Sequence, residues 1–146
     1  MRRVLSSVLC SLPLLAAAGE APLEVRGAMT VDLFQAAHLY EMGAVFVDVR
    51  SDQQWRWGHV EGAVHLAHDG AFADLSGGEW PRDLPLVIYC DSELCDTAHQ
   101  AAAQAIDWGY RNVFYFREGY FAWQLADFPQ AKGALGAAPR LSAKVR

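Results

Sequence analysis

The sequence predicts an α/β fold built on a largely parallel sheet, and two observations predict it. Residues 45–49, Leu86–Tyr89 and Val113–Phe116 are near-continuous apolar runs, the pattern of strands covered on both faces. Between the last two, Ala98, Ala101, Ala102 and Ala105 recur at i, i+3, i+4 and i+7, an amphipathic helix that Gly109 closes. Strand, loop, helix, strand in that order is a βαβ unit, whose crossover is right-handed.

The remaining elements follow from the N-terminus onward. Met1, Arg2 and Arg3 make a short positive start, residues 4–15 are almost wholly apolar, and Ala16, Ala17 and Ala18 put small residues where a signal peptidase cuts. The expectation is a signal peptide over residues 1–18, cleaved after Ala18, and a mature protein that is periplasmic or secreted. A membrane anchor is the alternative, but the run is shorter than the ~20 apolar residues a bilayer requires. A lipoprotein held through Cys10 would carry the bulky Leu9 where a small residue belongs. Residues 19–29 mix Pro, Glu and Gly without periodicity and read as a linker. Thr30 is expected to cap the first helix, with Asp32 in its first turn and Leu33, Phe34, Ala37 and Tyr40 on one face. Gly43 marks its stop. Residues 120–126 form a short final helix carrying Trp123 and Leu125. The domain is placed at residues 30–129, and residues 130–146 are expected to be a mobile tail.

A chain of 146 residues argues for one domain. Its formal charge is −5, and loss of Arg2 and Arg3 takes it to −7. With no cluster of Lys or Arg to neutralise phosphates, a nucleic-acid partner is not expected. No later segment approaches membrane-spanning length, so no stable membrane insertion is expected after cleavage.

Of the three cysteines, Cys10 leaves with the signal peptide, and Cys90 and Cys95 remain on one loop. A bridge closing so small a loop restricts the unfolded chain little, so chemistry is the better reading than a structural staple. Cys90 ends a parallel strand, where open α/β sheets place their ligands. The helix starting near Asp96 or Thr97 points its N-terminus at the loop, which favours an anion such as a thiolate. A buried, inert cysteine is the competing reading.

Asp48-Val49-Arg50, then Trp55, then Gly58-His59-Val60-Glu61-Gly62-Ala63 resembles the rhodanese pattern of D-V-R, an aromatic and G-H-I-x-G-A. Tyr89-Cys90 is similar to that family's active-site position, and Gly109-Tyr110-Arg111-Asn112-Val113 with Gly119-Tyr120-Phe121-Ala122-Trp123 resembles its closing signature. The resemblance covers about Thr30 to Pro129. It implies an α/β sandwich over a parallel five-stranded sheet, with helices on both faces, and sulfurtransfer through a persulfide on Cys90. The loop Asp91, Ser92, Glu93, Leu94 and Asp96 would hold the persulfide through its backbone N–H groups. Asp48, Arg50 and His59 would be structural support. The implied partner is a small sulfur donor or a protein thiol or persulfide, with no cofactor.

Four departures from the family stand out. Rhodaneses often carry C-x-x-G-x-R, whereas Glu93 stands at the Gly position and Cys95 at the Arg position. Asp91, Glu93 and Asp96 then oppose a thiolate and repel an anionic donor, so weak thiosulfate activity is expected. Asp96 also stands where related phosphatase-like loops need an Arg, which argues against phosphate chemistry. Gln54 replaces the usual Glu and Glu118 the usual first Gly; both changes read as structural. Cys95 is either a resolving thiol that attacks a Cys90 persulfide, or simply the residue under the helix cap. Sulfurtransfer, a Cys90/Cys95 redox pair and a non-catalytic binding module all stay open.

Other clusters read as bland. His59, His65, His68 and Asp69 match no compact metal-ligand spacing, so no metal is expected. The five tryptophans are assigned to the core or to helix ends, His99 to solvent, and Arg117 to either the pocket or solvent.

Overall fold

The computed structural model describes residues 19–133. The expected signal peptide and residues 134–146 of the expected tail lie outside the described residues. Among the described residues, seven strands and four helices follow one another: β1 (Met29–Val31), α1 (Leu33–Glu41), β2 (Val45–Asp48), α2 (Asp52–Trp57), β3 (His59–Val60), β4 (Val64–His65), β5 (Leu86–Tyr89), α3 (Thr97–Asp107), β6 (Val113–Phe116), α4 (Gly119–Leu125) and β7 (Gln130–Ala131). A 3-10 helix over Ala71–Ser76 lies between β4 and β5.

The central sheet has five strands in the order β1-β6-β5-β2-β4, and every pairing in it is parallel. This is the sheet the sequence implied. Strand β5 sits in the middle with all four residues buried, which is why it reads as an unbroken apolar run. Its side chains alternate between two cores. Leu86 and Ile88 pack with Val113, Tyr115 and the α3 alanines, while Val87 and Tyr89 pack with Phe46, Phe116, Tyr120 and Trp123. Ala98, Ala101, Ala102 and Ala105 are all buried, so α3 lies close against its face of the sheet.

The structure departs from the sequence reading at several places. The supposed linker is packed: Ala21 and Val25 are each 4% exposed, and Met29 opens β1 at the sheet edge. Three edge residues give too short a pattern for periodicity to reveal. Thr30 lies in β1, with its hydroxyl donating to the Leu23 carbonyl, and the cap of α1 is Asp32, which forms a capping box with Gln35. Phe34 faces outward at 76% exposure, and Ala36 takes the buried position instead. The segment after Pro129 is not free at its start, because β7 pairs antiparallel with β3 and the Trp123 indole donates to the Pro129 carbonyl. Leu125 and Trp57 are exposed, whereas Trp55, Trp80 and Trp123 are buried as expected.

Candidate active site

Cys90 follows β5 directly and is 4% exposed at the carboxyl end of the sheet. The chain then turns through residues 91–96 into α3. Cys90 and Cys95 form a disulfide with their Cα atoms 6.2 Å apart. That separation falls inside the range that lets two cysteines bond without moving the backbone. The turn is closed by the Cys95 N–H donating to the Ser92 carbonyl, and the Leu94 N–H donating to the Ser92 hydroxyl. These two amides are therefore engaged within the loop in the disulfide form. Asp96 precedes α3 but does not cap it; its carboxylate accepts from the Gln100 amide and lies 3.6 Å from His99 Nδ1. His99 is half-buried against the edge of the Tyr115 ring, and so does not point into solvent as expected.

The loop is clamped from two sides through its carbonyls. Tyr120 and Phe121, in the first turn of α4, donate their N–H groups to the Cys90 and Asp91 carbonyls, each at 2.9 Å. This approach requires Gly119, whose φ is +69°, and a Cβ there would lie 2.6 Å from the Cys90 carbonyl oxygen. On the other side, the Ala21 N–H donates to the Glu93 carbonyl at 2.7 Å. Arg117 secures that segment by bonding the Ala21 carbonyl and the Glu20 carboxylate. It is thus tied to the N-terminal segment instead of lying in the pocket. Glu118 has a structural task, as expected, accepting the Leu33 N–H at 2.6 Å.

Beneath the loop lies a buried charge network that sequence reasoning only half resolved. Arg50 donates to both oxygens of Asp48 and to the Gly58 carbonyl, as a structural pair should. Its third contact was not foreseen: Nη1 donates to Asp91 Oδ1 at 3.0 Å, across 41 positions of sequence. Gln54 donates to the other oxygen of the same carboxylate, so this departure from the family pattern bears on the site and is not merely structural. The loop that carries no cation of its own is therefore met by one from the segment just after β2. Tyr89 donates its hydroxyl to Asp48 at 2.7 Å, and the guanidinium lies 4.5 Å from the centre of the Tyr120 ring. Burial opposes the Arg50 charge, but the hydrogen bonds and charge of Asp48, helped by Asp91, outweigh it and hold the guanidinium above its ordinary pKa. Burial, reinforced by Asp48, pushes the Tyr89 phenol well above its ordinary value.

His59 is buried where structural support was expected, its Nδ1 within 2.9 Å of the Trp55 carbonyl and its ring stacked on Trp55. His65 also stacks on Trp55, and its Nε2 lies 2.8 Å from the Arg50 carbonyl. Among the described residues, no group of three or more His, Cys, Asp or Glu could hold a metal. A pocket of about 240 Å³ opens over the disulfide, lined by Cys90, Cys95, Arg50, Gln54, His68 and Thr97 among others. Tyr120 and Gly119 were visible in the closing motif, but their docking onto the loop was not readable from their residue types.

Comparison with known proteins agrees with this architecture. The Rhodanese-like domain family matches residues 34–126. A relative named thiosulfate sulfurtransferase GlpE, from Pseudomonas syringae pv. syringae, is 34% identical over 96 residues, spanning 66% of this chain and 86% of that one. Its namesake from Haemophilus influenzae is 28% identical over 97 residues, spanning 65% of this chain and 87% of that one. Among solved structures, the rhodanese-like domain of an Anabaena sp. protein superposes with a TM-score of 0.62 at 19% identity, covering 80% of this chain and 86% of its own. A polysulfide-sulfur transferase homodimer from Wolinella succinogenes gives a TM-score of 0.61 at 15% identity, covering 73% of this chain and 80% of its own. With the parallel five-stranded sheet and a cysteine at the end of its central strand, these matches mean that the chain belongs to the rhodanese-like sulfurtransferase family.

Proposed function

We propose that Cys90 carries sulfane sulfur as a persulfide and that Cys95 resolves it. The observation that carries the reading is the Cys90–Cys95 pair itself, bonded at the mouth of a pocket at the carboxyl end of β5. In the first step the Cys90 thiolate attacks the sulfane sulfur of a donor. The donor's S–S bond breaks, its electron pair departs on the leaving group (a thiolate from a protein persulfide, sulfite from thiosulfate), and Cys90 becomes a persulfide. In the second, the Cys95 thiolate attacks Cys90 Sγ, hydrosulfide leaves, and the disulfide forms. An external dithiol then returns the pair to two thiols. The donor is a small sulfane compound or a protein persulfide. The reading places this chemistry in the periplasm or outside the cell, on the support of the N-terminal sequence alone.

A second reading, a thiol–disulfide redox protein with no sulfur intermediate, is favoured by the same disulfide. One experiment separates the two. Intact mass under non-reducing conditions, before and after incubation of the reduced protein with a sulfane donor, is read together with peptide mapping of Cys90. One added sulfur on Cys90 in Cys95→Ser, and hydrosulfide release with disulfide formation in the parent protein, support the persulfide reading. Disulfide formation without hydrosulfide supports the redox pair. No change with both thiols accessible overturns both.

A further inference from the structure

Arg50, Gln54 and Asp91 form an arrangement that the proposed chemistry does not use. The Asp91 carboxylate is gripped at both oxygens, one by Arg50 Nη1 at 3.0 Å and the other by the Gln54 amide. Two donors spaced to take two oxygens of one anion are the geometry by which proteins bind oxyanions. Here the anion belongs to the chain. We propose that Asp91 occupies a latent oxyanion site formed by Arg50 and Gln54, and thereby sets the loop's preference against small anionic donors and toward uncharged or protein-borne sulfane sulfur. The proposal rests on the reading of Cys90 as the sulfur acceptor and names the substrate class of that same site.

Three observations support it. First, the guanidinium does not depend on Asp91 for its position: Asp48 holds it through two nitrogens, the Gly58 carbonyl through one, and the Tyr120 ring lies against it. Removing the Asp91 charge would leave a pre-organised cation behind. Second, Arg50 and Gln54 line the same pocket as Cys90 and Cys95, so an anion bound there would stand beside the acceptor sulfur. Third, the charges are unbalanced as they stand, one guanidinium between the carboxylates of Asp48 and Asp91. An incoming dianion therefore meets a cluster with net negative charge. Asp91 is only 18% exposed, so solvent screens this repulsion incompletely.

The test has a binding arm and a kinetic arm, using Asp91→Asn, which keeps the shape, and Asp91→Ala, which vacates the space. In the first, sulfate is titrated into the oxidised full domain while the Arg50 Nε–H and Ser51 amide resonances are followed by NMR. Asp91→Ala, which vacates the two donors, is expected to bind sulfate at least tenfold more tightly than the parent, and Asp91→Asn, whose amide still fills the space, more tightly than the parent but less tightly than Asp91→Ala. Asp52→Asn removes an exposed carboxylate that faces His65 and should leave sulfate affinity unmoved. In the second arm, carried out in a Cys95→Ser background, mass spectrometry compares the rates at which Cys90 takes sulfane sulfur from thiosulfate and from an uncharged organic trisulfide. Thiosulfate leaves a persulfide and expels sulfite; the trisulfide is attacked at its central sulfur, leaves a Cys90 alkyl trisulfide and expels a thiolate. The thiosulfate-to-trisulfide ratio should rise by a similar factor. Equal sulfate binding in parent and both Asp91 variants, or an equal gain in Asp52→Asn, overturns the proposal. Failure of Cys90 to take sulfur from either donor would refute the persulfide reading instead, and the sulfate titration would still decide the role of Asp91.

Discussion

Replacing Gly119 by alanine tests whether α4 fixes the loop after Cys90. At φ +69° an alanine backbone is strained, which costs about 1–2 kcal/mol. The added Cβ would also lie 2.6 Å from the Cys90 carbonyl oxygen and 2.7 Å from the Asp91 carbonyl. Both neighbours are backbone, so the conflict is relieved only if α4 and the loop separate. Separation breaks the hydrogen bonds from Tyr120 and Phe121 to those carbonyls, each worth about 1 kcal/mol. The expected loss is about 3 kcal/mol, or roughly 10 °C in melting temperature for a domain of this size. Gly43 and Gly109 are internal controls, with φ of +84° and +91° and nothing within 4 Å of an added Cβ. Alanine at either should cost only the backbone share, about 1 kcal/mol. Urea unfolding of the three variants isolates the contact, and alkylation of reduced Cys90 should be faster in Gly119→Ala. A Gly119→Ala loss no larger than that of Gly43→Ala would refute the argument.

Three further outcomes are expected. Among the described residues, the Tyr115 hydroxyl is buried without a hydrogen-bond partner, so Tyr115→Phe should be neutral or stabilising by about 1 kcal/mol in urea unfolding; a clear loss would reveal a partner. Burial holds all five tyrosines above the ordinary phenol pKa. The unfolded chain therefore binds fewer protons than the native one above pH ~10, and stability falls from there upward by as much as ~1.4 kcal/mol per pH unit for each tyrosine. Tyrosinate absorbance should rise together with loss of near-ultraviolet circular dichroism, and a rise centred at pH ~10 in a still-native protein would contradict this. Finally, Glu93→Gly combined with Cys95→Arg should raise thiosulfate turnover in a sulfur-transfer assay; no change would show that charge at these two positions is not limiting.

How much of this was legible in the sequence depended on element length and on the range of each contact. Strands β2, β5 and β6 announced themselves because burial on both faces leaves near-continuous apolar runs, broken only by Asp48 in β2. Strands β3, β4 and β7 have two residues each, too few for any alternation to show. The small-residue face of α3 was plain, but α1 misled, since Phe34 was counted inward for its hydrophobicity while Ala36 does the packing. The fold joins Cys90 and Cys95 in a disulfide, and both were singled out from position and motif. The link from Arg50 to Asp91 was not, because it spans 41 residues and neither residue type signals the other. Counting loop charges gave three uncompensated carboxylates, where folding brings a guanidinium to one of them.

The anchoring of Ala21 to Glu93, reinforced by Arg117, has a practical side. An affinity tag or reporter joined at residue 19 would emerge beside the hydrogen bond that steadies the turn between Cys90 and Cys95. Kinetics measured on such a fusion would mix the behaviour of the protein with that of the attachment. The same proximity is an opportunity, since a fluorophore placed there would sense the turn rearranging as the cysteine pair is reduced and re-oxidised, without any probe entering the pocket.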